Sequence, residues 1–516
     1  MSHLSKQFHN SVTRLLPAIV AAAILLMTAA AQAAVPGIAG ALGAPVFNLT
    51  ASEAYTTQPD GQMIYSWGYG CAAATSTVPL AITGSCSGMQ IPGPTLIVTE
   101  GDTVTVNLTN NLLERVGNTS ILFPGFQVTT TGADVMQGLL TSEAKPGESV
   151  TYTFVATTPG TRAYYSGTQS DLQIEMGLYG AIVVLPKTPI AATACVRNQN
   201  GGGDYTLSSS AYDATLGANA LPNSCYDREY MFQLAEVDPR IHAQADQQAH
   251  CSSANSLTPC PATLNVAIEP YRARYFLING RSMPDDMDAN FAPPYPHQPY
   301  NGNPHMHPGD QVLLRVIGQG RAQHPLHEHG NHVRILARDG NMLVSQTDQT
   351  KLAGPLLFTT TTTPGVAMDG IFYWSGRGLN WDVYDHTPGD GTVCVPDANG
   401  YYTSVPTATN YYEWCADHDK PLETSAGGPA TLPDPLVLTN GLWYGGSAYL
   451  GPDATAKSEG PTPLPPASSP QNPNAGFAFM WHSHNEREIT TNDIFPGGMM
   501  MMMIVDAPYV HIDETF

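Results

Sequence analysis

The histidines carry the first chemical signal in this chain. Apart from His3 and His9, all of the 16 histidines lie from His242 onward. Most of these gather in three motifs: His305-Met306-His307, the run HPLHEHGNH from His324 to His332, and His482-Ser483-His484. Residues two apart on a β-strand point to the same side. His327 with His329, and His482 with His484, therefore each offer two imidazoles to one face, and two such strands brought together make a four-nitrogen metal site. Imidazole suits copper, zinc, iron or nickel. The expected metal residues are His324, His327, His329, His482 and His484, the last four forming the core. His305, His307, His332 and Glu488 or Glu486 are accessory candidates, and no catalytic residue is assigned. The competing reading gives these histidines to hydrogen bonding and packing. Isolated His242, His250, His297, His386, His418 and His511 read as surface residues. The run Met499 to Met503 invites a thioether site for Cu(I), but alternate residues of a strand face opposite ways, so core packing is expected with one methionine at most beside a metal.

Strands must position these side chains, and the sequence is written in strand periodicity. In TLIVTEGDTVTVNLTN, Leu96 and Val98 precede a Glu-Gly-Asp turn, and Val104, Val106 and Leu108 follow it. PGESVTYTFV repeats the device with Val150, Tyr152 and Phe154. The pattern is all-β. An internal repeat organises it: EGDTVTVNLTN at 100–110 is echoed by PGDQVLLRVIG at 308–318, and GLYGAIVVLP ending at Pro186 by GGMMMMMIVDAP ending at Pro508. Two related Greek-key β-sandwich domains are expected, at 45–190 and 226–516 with a linker at 191–225, or three if a reduced middle domain lies between Lys187 and Arg281. The first has no histidine and no imidazole ligand to give. The second carries an insertion at about 346–474, where Tyr, Trp, Pro and Gly cluster without periodicity.

The remaining composition bounds compartment and partners. Lys6 and Arg14 precede an apolar run from Leu15 to Ala30 and the small-x-small sequence Ala31-Gln32-Ala33, so residues 1–33 read as a cleaved secretory leader. The formal net charge of −22 becomes two units more negative without that leader, a balance that repels nucleic acid and anionic lipid and attracts cations. The 8 cysteines, all beyond the leader, read as disulfides between sequence neighbours in an exported chain. Cys415-x-x-His418 has a copper-loop spacing, and a bridge from Cys415 to Cys394 is favoured over it. The expected location is periplasmic or secreted. The expected partners are a small-molecule or metal-ion substrate and a homo-oligomer or redox protein, with no membrane span after leader removal.

Taken together, IPGPTLIVTEGDTVTVNLTNNL, RYFLINGRSMPD, HPLHEHG and HSH...GGM resemble the multicopper oxidase family, whose members are built from cupredoxin domains. The resemblance covers most of 45–190 and 226–345 and resumes at 476–508. It implies that His324 is a type 1 copper ligand, His327 a type 2 ligand, and His329, His482 and His484 type 3 ligands. The departures are large. Leu122, Phe123 and Pro124 stand where the family has His-x-His, and Gly167, Thr168 and Gln169 where it has His-Ser-His. Ser483 replaces the type 1 cysteine, and Glu488 falls at the second type 1 histidine. A blue site needs thiolate. The resulting expectation is an exported copper-binding protein with a non-blue, histidine-rich site and oxidoreductase-type activity, with zinc or another divalent metal in second place. The competing expectation is non-catalytic: copper sequestration or delivery, or a structural cupredoxin module.

Overall fold

The computed structural model describes residues 35–72, 86, 88–132, 135–190, 209–212, 224–252, 259–307, 309–374, 476–506 and 512, with short strands at 395–396, 402–403 and 446–449. The leader sequence, Cys394, Cys415, His386, His418, His511 and the proline-rich tract before 475 lie outside the described residues.

Alternation of apolar and polar residues builds the first pair of sheets. One sheet joins β1 (Ile38–Ala39), β4 (Leu96–Thr99), β9 (Tyr179–Leu185) and β8 (Gly160–Tyr165). The other joins β3 (Met63–Cys71), β2 (Val46–Thr57), β5 (Thr103–Asn110), β7 (Ser149–Val155) and β6 (Thr129–Thr131). Val104, Val106 and Leu108 of β5 and Val150, Tyr152 and Phe154 of β7 all turn into the shared core, as the sequence pattern predicts.

The second pair is larger. A seven-stranded sheet is ordered β11 (Tyr275–Ile278), β10 (Arg228–Val237), β13 (Gln311–Gly318), β17 (Ala367–Tyr373) and β15 (Val333–Arg338), with Asn341–Met342 and Leu356–Leu357 beside β15. A six-stranded sheet is ordered β12 (His305–Met306), β19 (Met500–Asp506), β18 (Gly476–Ser483), β14 (His324–Glu328) and β16 (Thr359–Thr362), with Gly446–Tyr449 beside β18.

The repeat seen in sequence is a repeat of topology. β5 and β13 each run parallel to the strand before them and antiparallel to the strand after them. β9 and β19 each lie between one parallel and one antiparallel neighbour. One expectation needs correction: the segment 346–374, read as the start of an insertion, supplies β16 and β17, and β17 is an inner strand of the seven-stranded sheet. The four threonines of β16 lie on a sheet edge and show no apolar alternation, which hid them.

The two sandwiches are tied together through polar and apolar contacts. A helix, α1 (Pro239–Ala249), capped by the Asp238 side chain, follows β10 of the second pair, yet its Ile241, Ala245 and Ala249 pack into the core of the first. Buried Arg315 of β13 binds Glu229 of β10 at 2.8 Å and Asp369 of β17 at 3.4 Å. Thr161 of β8, in the first pair, donates to Asp369 at 2.6 Å and accepts from Arg315 at 3.0 Å. Two disulfides between sequence neighbours, Cys71–Cys86 and Cys251–Cys260, match expectation, and Cys225 is also disulfide-bonded. Removing the cation would strand two buried carboxylates. Arg315→Ala is therefore expected to lower the unfolding free energy by about 3–5 kcal/mol, measured by urea denaturation; a loss below about 1 kcal/mol would show that the junction does not depend on this ion pair.

Candidate metal centre

Strand register assembles the histidines. In the six-stranded sheet β14 lies between β18 and β16, placing His327 directly opposite His482 on one side and Thr359 on the other. Opposed residues share a face, and the ring centroids of His327 and His482 are 5.5 Å apart. His329, just past the end of β14, lies 4.9 Å from His327 and 5.2 Å from His482. His329 Nε2 and His482 Nε2 are separated by 3.3 Å. Ligand atoms of His327, His329 and His482 all fall within 4.8 Å of one another. His484 completes the set of rings at 4.7 Å from His327, and it is exposed.

Neighbouring groups orient these rings. The Thr359 hydroxyl lies 2.6 Å from His327 Nδ1, His482 Nδ1 donates to the Ser483 carbonyl at 2.7 Å, and the Trp481 indole donates to the His329 carbonyl at 3.0 Å. Thr359 gave no signal in the sequence, since its role depends on an edge pairing between distant segments. Burial, followed by the proximity of His329, His484 and His482, pushes the His327 imidazole down to about 4. His482 is lowered as well, chiefly by burial. These two rings are thus neutral at ordinary pH and hold lone pairs, the form a metal needs.

The opposite face of the same strands does something else. His324, Leu326 and Glu328 alternate with His327, so His324 points away from the ring cluster. Its Nε2 binds Glu236 at 2.8 Å and its Nδ1 binds Glu488 at 2.9 Å, all three groups being buried. Burial alone would lower the His324 pKa, but the hydrogen bonds and charges of Glu236 and Glu488 outweigh it and push it up to about 9. Ser483 Oγ and Asn485 Nδ2 also donate to Glu488. The expectation that His324 belongs with the metal residues is therefore corrected, since carboxylates occupy both ring nitrogens. Glu488 is corrected for the same reason: its oxygens face His324, Ser483 and Asn485.

The accessory candidates disperse. His305 pairs with Asp506 at 2.6 Å on β12, and His307 lies 3.2 Å from Arg228 and 3.6 Å from Asp310. His332 is an exposed rim residue whose ring packs on Phe358 at 4.8 Å, and Glu486 is exposed in the turn after His484. His242, read as a surface residue, is buried in α1 between the Tyr65 and Glu175 carbonyls. Its position on the apolar face of a short helix packed across two sandwiches is a tertiary fact. In the first sandwich, Leu122 forms an isolated antiparallel bridge with Tyr165. Around it a hydrogen-bonded network joins Ser120 with Thr168 at 2.8 Å, Thr168 on to the Glu143 carboxylate at 2.9 Å, and Thr119 and Ser166 with Gln173 at 2.8 and 2.6 Å. A cleft of about 520 Å³ lined by Leu122, Phe123, Pro124, Leu139 and Leu140 opens beside them.

Residues 83–189 match the family model described as multicopper oxidase. The laccase abr2 of Aspergillus fumigatus is 38% identical over 99 residues, which are 19% of this chain and 16% of the relative. An L-ascorbate oxidase of Brassica rapa is 35% identical over 96 residues, 18% and 16% of the two chains. Copper resistance protein A of Escherichia coli is 32% identical over 158 residues, 30% and 24%. The matched part of the chain thus spans between 16% and 24% of the length of these relatives. Among solved structures, a multicopper oxidase named mgLAC aligns over 91% of this chain and 87% of its own at 16% identity, with a TM-score of 0.44.

The two histidine faces give the chain opposite pH dependences. Folding raises the His324 pKa from 6.5 to about 9, so its contribution, about 3 kcal/mol, is complete below pH 6.5 and is lost as pH rises through 9. Folding lowers the His327 pKa from 6.5 to about 4, so that contribution is present above 6.5 and is lost as pH falls toward 4. Thermal unfolding of metal-free protein is expected to show a maximum between these limbs, and His324→Gln should flatten the alkaline limb alone. An unchanged alkaline limb in that variant would refute the assignment.

Proposed function

We propose that this chain, a member of the multicopper oxidase family built from cupredoxin-type β-sandwiches, is an exported copper-binding protein whose non-blue histidine centre supports oxidoreductase chemistry. The observation that carries the reading is the convergence of His327, His329, His482 and His484 on one face, with His327 and His482 held neutral by burial. That donor set fits copper, for which imidazole is a favoured ligand. Bound copper would supply a one-electron redox centre. The protein's own part is to hold the rings. Thr359 and the Ser483 carbonyl each engage one ring nitrogen, on His327 and His482, and exposed His484 leaves one side of the cluster accessible from solvent.

A blue type 1 site is absent from this proposal. The cysteine position holds Ser483, and its hydroxyl, Glu488 and His324 bind one another. Residue 483 supplies no thiolate to give the intense absorption and electron-transfer properties of such a centre. The four-histidine half of a trinuclear site is also missing from the first sandwich, where Leu122 to Pro124 and Gly167 to Gln169 stand instead. The carboxylate lock on His324 favours the second reading, copper sequestration or delivery without turnover, because it closes the position through which the family's electrons would enter. Export rests on the leader-like residues 1–33, the acidic composition and the disulfides, which persist in oxidising compartments.

The test is metal analysis with visible and electron paramagnetic resonance spectra of the copper-loaded protein, followed by assays of phenol, ferrous-ion and cuprous-ion oxidation. Copper is expected to bind without an intense thiolate band, and His327→Ala is expected to lower both copper content and turnover at least tenfold. Bound copper with no turnover would leave the storage reading. Turnover unaffected by His327→Ala would remove the enzymatic one.

A further inference from the structure

The methionine run does not divide as simple core packing requires. β18 and β19 pair antiparallel with His482 opposite Met500, Met480 opposite Met502, and Ala478 opposite Ile504. The intervening residues, Phe477, Phe479 and Trp481 with Met501, Met503 and Val505, fill the sandwich interior. Met480, Met500 and Met502 must therefore lie on the outer face, the face of the histidine cluster. Met480 and Met502 are half-buried there, while Met500 is buried beside His482. Directly opposed side chains start about 5 Å apart and successive residues on one face about 7 Å apart, a span that flexible thioethers bridge. At the strand edge Met287 Sδ accepts the Met502 N–H at 3.3 Å, but the Met287 side chain packs against the interior core rather than the outer face. The next rung places His305 beside Ile504, its ring held by Asp506 at 2.6 Å.

We propose that Met480, Met500 and Met502 form a cuprous-ion site next to the histidine cluster on the outer face of the six-stranded sheet. Thioethers are soft, uncharged donors that select Cu(I) over Cu(II) and zinc, and thioether ligation requires no deprotonation. Hard divalent ions gain little from them. The strongly acidic chain draws cations toward its surface without regard to type, and the methionine rungs add the selectivity that charge lacks. His305 and Asp506 mark one end of this face and His482 the other, so a cuprous ion held between them is one rung from the imidazoles. The site uses residues outside the four-histidine centre and stands whether or not that centre turns over.

The test is anaerobic titration of the full chain with Cu(I) against a competing cuprous chelator, with X-ray absorption to identify the ligand atoms. Wild-type protein is expected to hold about one equivalent of Cu(I) with sulfur neighbours. The triple variant Met480→Leu, Met500→Leu, Met502→Leu, which conserves apolar volume, is expected to lose that equivalent and its sulfur scattering while still taking up nitrogen-ligated copper. His327→Ala should do the reverse, keeping the sulfur-ligated ion. Should the triple variant fold poorly, Met480→Leu alone, at a half-exposed position, is expected to weaken Cu(I) binding at least tenfold. Absence of sulfur scattering in wild type, or its persistence in the triple variant, would overturn the proposal without bearing on the histidine centre.

Discussion

The second sandwich depends on one buried proton. His324 opens β14 of the six-stranded sheet, Glu236 lies near the end of β10 in the facing sheet, and Glu488 belongs to the turn that follows β18. An imidazolium with one carboxylate on each nitrogen therefore joins both sheets and the turn after β18. Burying such charges is costly unless every polar atom is satisfied. Here the second Glu236 oxygen accepts the Arg321 and Ala322 amides at 2.7 and 2.8 Å, and the second Glu488 oxygen accepts Asn485 at 2.8 Å. A neutral imidazole would have a donor for only one of the two carboxylates. The paired imidazole thus ties the start of β14 to the facing sheet and to the turn after β18.

How much of this was legible follows from what is local and what is not. Strand parity is local: it put His327 with His329 and His482 with His484 on one face each and grouped Val104, Val106 and Leu108, while the repeat was legible from matching segments of sequence. The same parity argument separates His324 from His327, three residues on, and the resemblance likewise gives them to different copper sites; His324 lies between two carboxylates, apart from the ring cluster. Partner identity is tertiary. Nothing near His324 in sequence announces Glu236, 88 residues away, and nothing about Thr359 announces that an unpatterned threonine strand will reach a ring nitrogen. His242 misled for the same reason, because its helix is short and its partner surface belongs to the other sandwich. Met500 and Met502 were half legible: alternation was foreseen, whereas the face shared with Met480 required the register of β18 on β19.

Parity also explains why the two faces have separate chemical fates. The inner face of β14 and β18 carries His324, Leu326 and Ser483 toward a dry interior, where charge is tolerated only when fully paired. The outer face carries His327, His482, Met480 and Met500, where neutral lone pairs meet a partly accessible surface. A substitution confined to one face leaves the other nearly intact. The second sandwich accordingly carries its imidazole cluster on one face and the Ser483–Glu488–His324 contacts on the other.

Ser483 is the residue at which the two faces would have to communicate. It lies between His482 and His484 in the chain, and its side chain is on the inner side, opposite Leu326 in register and bonded to Glu488. A thiolate there, bound to copper, would make the covalent path from residue 483 to its neighbours a route for electrons across the strand. A hydroxyl at that position has no accessible oxidation state; it donates to Glu488 and accepts the Asn485 N–H at 3.2 Å. Under the proposed function, access to the outer histidine cluster is on the outer face itself, at exposed His484.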